Sequence, residues 1–130
     1  MDKTNLKKQY SDKERNAAAL EAFFNIADCW GLTNDENKVL LGLSQDSSSY
    51  YNWKRSKKGI LQPDQLYRIS YILAIYKSLR ILFTDKQQGY EWIKKYNKDL
   101  RKSALEVMLQ GQIPDLMRVR DYLDAQRGCC

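Results

Sequence analysis

The sequence predicts an all-α protein: an N-terminal helix-turn-helix bundle, a long central helix and a small C-terminal helical module. Three observations carry this reading. Apolar residues recur at three- and four-residue spacing in each long segment. Helix-start signatures, in which a serine or threonine precedes a Glu or Gln by three positions, punctuate the chain. No stretch of any length alternates apolar and polar residues at the period of a strand.

Residues 1–11 are polar and mixed in charge, and are expected to form a mobile arm. A first helix is expected from Asp12 to Trp30, with Leu20, Phe23, Phe24, Ala27 and Trp30 on its inner face and Gly31 as its stop. Cys29, inside this apolar stretch, reads as a small core residue. Thr33-Asn34-Asp35-Glu36 is a capping box that opens a short helix to Leu41, and Gly42 suits the left-handed conformation at its end. Leu43 and Ser44 form the turn. Ser47, Ser48 and Ser49 are alternative caps for a third helix through Arg55. Two short helices joined by a glycine-containing turn form a helix-turn-helix candidate. This head, residues 12–61, is expected to close its own core with Leu20, Phe23, Phe24, Leu40, Leu41 and Trp53, without help from the last helix.

Gln62-Pro63-Asp64 opens the connecting helix, residues 62–83, with proline in the first turn where its missing N–H costs nothing. One stripe holds Ile69, Ile72, Leu73, Tyr76, Leu79 and Phe83. A second holds Tyr67, Tyr71, Ile75 and Leu82. A helix apolar on two faces must be covered on two faces, either internally or by a second copy contacting Tyr67, Tyr71 and Ile75. Residues 84–130 form the last module. Thr84 to Gln87 is a capping box for a helix carrying Tyr90, Trp92, Ile93 and Tyr96. Ser103 to Glu106 caps a short helix ending at Gly111. Ile113-Pro114-Asp115 starts the final helix, with Leu116, Val119 and Leu123 on one face.

Composition narrows the function. Lys and Arg number 22 against 16 Asp and Glu, a formal charge of +6. Residues 1–60 hold ten basic and eight acidic side chains, residues 61–102 nine and four, and residues 103–130 three and four. A basic body suits nucleic acid, or belongs to a soluble protein that happens to be basic, whereas the near-neutral tail suits a different partner. The absence of histidine removes the commonest general base, and the three cysteines show no metal-ligand spacing. With no phosphate-binding glycine loop either, the expectation is no enzyme, no metal and no cofactor. Asp64, Asp85 and Glu91 read as helix-start charges. No apolar run reaches the ~20 residues of a membrane span, and the N-terminus lacks a secretory apolar core, so a cytoplasmic protein without a membrane partner is expected. Cys129 and Cys130 read as exposed thiols at a frayed end.

On the third helix, Tyr50, Trp53 and Lys57 fall on the packing side. Ser48, Asn52 and Arg55 fall opposite, flanked by Ser49 and Tyr51. Asn suits adenine, Arg suits guanine, and serine serves base or phosphate. Lys54, Lys57 and Lys58 lie where phosphates would pass. The bland alternative is a solvated helix face, but such a face is usually rich in Glu, and Ser47 to Gly59 contains no acidic residue. Operator DNA is therefore the expected partner of this face.

The tail carries a family resemblance. Ser103-Ala104-Leu105-Glu106-Val107-Met108-Leu109-Gln110-Gly111 is followed by Ile113-Pro114-Asp115-Leu116-Met117-Arg118-Val119-Arg120-Asp121-Tyr122-Leu123, with Trp92-Ile93 and Asn97 upstream. This resembles the toxin-binding domain of the Xre/MbcA/ParS-type antitoxins, and the likeness extends over about residues 15 to 128. It implies a catalytically inert antitoxin that dimerises, binds a RES-domain toxin acting on NAD, and represses its own operon. It also implies that the chain end approaches the toxin, through Arg120, Tyr122, Asp124, Arg127 and Gly128. The sequence departs from the family pattern where Arg101-Lys102 stands in place of a glycine before Ser103, and where Leu43 to Ser49 exceeds the usual tight turn. The competing reading is a solitary helix-turn-helix regulator whose C-terminal helices only dimerise.

Overall fold

The structure is a computed structural model that describes residues 3–128, with side chains described for residues 12–128. Met1, Asp2 and the Cys129-Cys130 pair lie outside the described residues. Seven helices and one minimal hairpin follow one another: α1 (Lys3–Trp30), α2 (Asn34–Leu40), α3 (Ser49–Ser56), α4 (Pro63–Leu82), α5 (Lys86–Trp92), β1 (Tyr96–Asn97), β2 (Lys102–Ser103), α6 (Ala104–Met108) and α7 (Ile113–Gln126).

Most expected boundaries hold because the caps that define them form. The Thr33 hydroxyl accepts from the Glu36 N–H at 3.1 Å, and the Glu36 carboxylate accepts from the Thr33 N–H at 2.9 Å. Ser103 and Glu106 repeat the exchange at 3.0 and 3.1 Å. These bonds from Ser103 hold the Glu106 carboxyl below the usual carboxylate range.

Four local expectations need correction. Helix α1 starts at Lys3 instead of Asp12, because residues 3–11 contain neither glycine nor proline to break it. The cap of α5 is Asp85, not Thr84: its carboxylate accepts from the Gln87 N–H at 3.0 Å. Helix α5 stops at Trp92, and Tyr96 belongs to a two-residue strand paired antiparallel with β2, Tyr96 opposite Ser103 and Asn97 opposite Lys102. The Asn97 side chain turns the connection by accepting from the N–H groups of Asp99 and Leu100. Arg101, in the Arg101-Lys102 pair before Ser103, takes φ 62°, a left-handed conformation without a glycine. Finally, Cys29 is exposed: the buried stripe of α1 runs through Phe23, Ile26, Ala27 and Trp30 and passes it by.

The long helix α4 packs mainly against α7 on one side and α1 on another. Ile69, Ile72, Ile75 and Leu79 are buried with Leu116, Val119 and Leu123 of α7 and with the aromatic face of α1 in one continuous cluster. The head residues Leu20, Phe23, Phe24, Leu40, Leu41 and Trp53 belong to that same cluster. The head core is thus continuous with that of the tail: removing the chain after Asp115 would expose α4, and each large buried aliphatic side chain returned to water costs about 1.5–3 kcal/mol. The second stripe of α4 also divides. Ile75 is fully buried, Tyr71 lies under the Arg120 guanidinium with 4.7 Å to the ring centre, and Tyr67 is 61% exposed.

Candidate DNA and partner surfaces

Helices α2 and α3 are locked by polar contacts across the turn between them. The Asn37 side chain donates to the Tyr50 hydroxyl at 3.0 Å, and that hydroxyl donates to the Asn34 side-chain oxygen Oδ1 at 2.7 Å. Burial pushes the Tyr50 phenol up, so it stays a hydrogen-bond donor. The extra length of the turn is taken up by Gln45. Its side chain donates to the Asp35 carbonyl at 3.2 Å, and its own carbonyl accepts from Lys38 at 3.0 Å. Serines 47–49 do not cap α3 as expected: Ser48 holds the cap position, in a helical conformation, without a side-chain cap bond.

The α3 face expected to read DNA is outward. Ser48, Ser49, Tyr51, Asn52, Lys54, Arg55 and Lys58 are all exposed, and Tyr50 and Trp53 are buried behind them. Arg55 donates to the Asn52 side-chain oxygen at 3.1 Å, which couples the two on the outward face. Lys54 is drawn toward α2 by a 2.7 Å bond to Asn34. Lys57 differs from these residues in being half-buried. It caps α3 in the left-handed conformation, its ammonium lies 5.3 Å from the centre of the Phe24 ring and donates to the Lys54 carbonyl. Close behind, Gly59 lies so near the Trp53 indole that an added Cβ would sit 2.2 Å from Nε1.

The five tail residues carried over from the family are not equivalent. Gly128 and its φ of 76° end the described chain, exposed. Arg120, Tyr122, Asp124 and Arg127 are half-buried and engaged within the molecule. Arg120 bonds Asp121 and covers Tyr71. Tyr122 stacks on Trp92 with centroids 6.2 Å apart and planes 14° from parallel, and its hydroxyl donates to Asp99 at 3.2 Å. Arg127 donates to the buried Ser78 hydroxyl at 3.2 Å. Beside the Trp92–Tyr122 stack, Leu82, Phe83 and Gln126 complete a shallow groove of about 210 Å³. Ile81, which the residue pattern did not single out, and Leu82 and Tyr96, which it placed on apolar helix faces, are exposed apolar side chains of this end.

Two buried cations were missed by the sequence reading. Arg68 is 7% exposed, with Nε 2.9 Å from the Asp64 carboxylate and Nη1 2.9 Å from the Gly111 carbonyl. Its position on the row Arg68, Ile72, Ile75, Leu79 and the i, i+4 spacing to Asp64 were the available signals. Lys38 is 4% exposed, and no pattern in the sequence marked it.

Comparison with known proteins divides the chain in two. Residues 10–74 match the antitoxin Xre-like helix-turn-helix domain. Residues 78–128 match the antitoxin Xre/MbcA/ParS C-terminal toxin-binding domain. The chain is also 49% identical, over 119 residues covering 91% of each protein, to the uncharacterized protein y4oB of Sinorhizobium fredii. Among the described residues no helix is long and apolar enough to cross a membrane.

The internal engagement of Tyr122 has a measurable consequence. Tyr122→Ala should lower stability by about 1–3 kcal/mol in chemical denaturation, through loss of a stacked, half-buried ring. Tyr122→Phe keeps the stack, loses only the bond to Asp99, and should cost less than half as much. Equal costs would show that the ring contributes nothing.

Proposed function

The chain belongs to the Xre-type antitoxin family, and from that premise we propose that it neutralises a RES-domain toxin through its C-terminal module and represses its own operon as a homodimer. The observation that carries the proposal is the tandem of matches, a helix-turn-helix domain at residues 10–74 followed by a toxin-binding domain at 78–128. A solitary regulator that uses its C-terminal helices only to dimerise accounts for the first match and leaves the toxin-binding character of the second unexplained. The RES class of toxin rests on the tail motif from Ser103 to Leu123. The homodimer rests on the family likeness, with Tyr67 of the residues expected to meet a second copy exposed.

The physical division of labour follows the surface. The outward face of α3 carries Ser48, Asn52, Arg55 and Lys58 and no acidic residue. The tail end offers the aromatic and arginine side chains that anchor protein interfaces, around Trp92, Tyr122 and Arg127. Bound toxin would contact Gly128 and the outer edges of Arg120, Asp124 and Arg127, whose inner atoms are already committed to α4 and α7.

For DNA, Asn52→Ala and Arg55→Ala should each cost about 1–3 kcal/mol on the operator and little on random duplex. Lys58→Ala should weaken both alike and flatten the logarithmic salt slope by about 0.9. If all three variants act alike on operator and random DNA, the assignment of the reading face is wrong. For the toxin, co-expression of the full chain with a cognate RES-type toxin should restore growth, and Asp124→Arg should impair rescue with the protein still folded by circular dichroism. Undiminished toxicity beside abundant folded protein would overturn the antitoxin–RES pairing and favour the solitary regulator.

A further inference from the structure

We infer that Lys38 and Tyr51 form a preassembled donor for a DNA backbone phosphate, with Tyr51 touching the phosphate and Lys38 acting behind it as a positioning residue. The inference deepens the DNA-binding reading above and rests on it.

It begins with a charge that lacks a counter-charge. Lys38 is 4% exposed, and none of the ion pairs among the described residues involves it. Its ammonium donates to the Gln45 carbonyl at 3.0 Å and to the Tyr51 hydroxyl at 3.3 Å. It also lies 4.8 Å from the Tyr51 ring centre and 5.5 Å from that of Tyr50. Aromatic faces and a carbonyl dipole offset part of the desolvation of a cation, but they supply no net negative charge. An anion arriving at the outer side of Tyr51 would.

The hydroxyl chemistry gives the direction. An ammonium has three donors and no lone pair, so in the Lys38–Tyr51 bond the phenol oxygen must accept. Its own proton is left for another acceptor, and none occurs among the described residues. Tyr50, the neighbour in sequence, is the contrast: its hydroxyl both accepts from Asn37 and donates to Asn34, and is buried. The Tyr51 residue is 47% exposed on the face that holds Ser48, Asn52 and Arg55. A hydroxyl already accepting from a cation is polarised and becomes a stronger donor. Tyrosine hydroxyls are among the groups that position a protein on phosphate oxygens, and such a contact carries no sequence information. The exposed Lys54 on the same helix and Lys58 just past its end favour an anionic acceptor over a neutral base edge.

The test is affinity for a random-sequence duplex, measured by fluorescence anisotropy with the full chain. Tyr51→Phe removes one oxygen and keeps the ring, its edge-on contact with Tyr50 and the Lys38–Gln45 bond. It should weaken binding about tenfold, the value of one charge-assisted hydrogen bond, with an unchanged denaturation midpoint. Lys38→Met should weaken binding at least as much, and adding Tyr51→Phe to it should bring little further loss, because the two act as a unit. Should Lys38→Met not fold, Tyr51→Phe decides alone. Binding of Tyr51→Phe at wild-type affinity, or losses from the two substitutions that simply multiply, would overturn the inference and reduce Lys38 to a staple for the turn. Failure of the wild-type chain itself to bind duplex DNA would overturn the DNA reading as well, an outcome distinct from the first two.

Discussion

The guanidinium of Arg68 is the point at which the two halves of this molecule are tied. It is buried near the start of α4, paired with Asp64 one turn earlier, and it donates to the carbonyl of Gly111 in the turn before α7. On its other side lies Gly42, the left-handed residue ending α2. A Cβ there would come within 2.6 Å of the Arg68 Nε. The turn of the head, the first turns of the connecting helix and the turn of the tail therefore converge on one side chain. A hydrogen bond to a charged group is worth about 1.5–3 kcal/mol, and a buried guanidinium deprived of its partners costs more than the bonds themselves contribute. Gly42 answers two demands at once, a φ of 70° and the close approach of Arg68.

Around this clasp, α4 serves as the common wall. Its row of Ile69, Ile72, Ile75 and Leu79 is buried between the aromatic residues of α1 and the apolar face of α7. No flexible linker separates the helix-turn-helix domain from the toxin-binding domain, because Pro63 to Leu82 is one uninterrupted helix. The two family matches abut within this helix, at residues 74 and 78, so the boundary between recognised domains is not a boundary in the packing. Polar contacts reinforce the joint. Arg127 of the tail reaches the buried Ser78 hydroxyl, and Tyr76 of α4 stacks on Tyr90 of α5, with the hydroxyls 3.4 Å apart. That hydroxyl pairing, more than burial, raises the Tyr90 phenol above its ordinary value.

Much of the fold was legible from short-range chemistry. The Thr33–Glu36 and Ser103–Glu106 boxes, Pro63 and Pro114 in first turns, and glycines at 31, 42 and 111 each act within a few residues, and sequence spacing displays such effects directly. The errors arose where tertiary context decides. Cys29 sits beside apolar neighbours in sequence yet off the buried stripe in space. The hairpin at 96–103 is too short to show alternation, and Arg101 adopts a glycine-like conformation that no side-chain pattern announces. On α3 the exposed polar face was readable from helical spacing, but the inward turn of Lys57 depends on Phe24, which is more than thirty positions away in the chain. The buried cations Lys38 and Arg68 were least accessible, since their partners are a turn carbonyl, two aromatic rings and a carbonyl in the tail. The tail itself was legible as a family pattern, yet that pattern did not reveal that Arg120, Tyr122 and Arg127 are already spent on contacts with α4, Asp99 and Trp92.

The central claim is that head and tail form one cooperative unit closed over α4. It can be tested with two variants, one keeping only Trp53 in α3 and the other only Trp92 at the end of α5, with phenylalanine at the other tryptophan positions. Urea unfolding is followed in each by fluorescence and by far-UV circular dichroism. A single shared core predicts that the two signals superimpose within each variant, whichever end the tryptophan reports. A Trp92 transition completed at lower urea than the loss of helical signal would contradict it, because the tail would then unfold while the head remained intact.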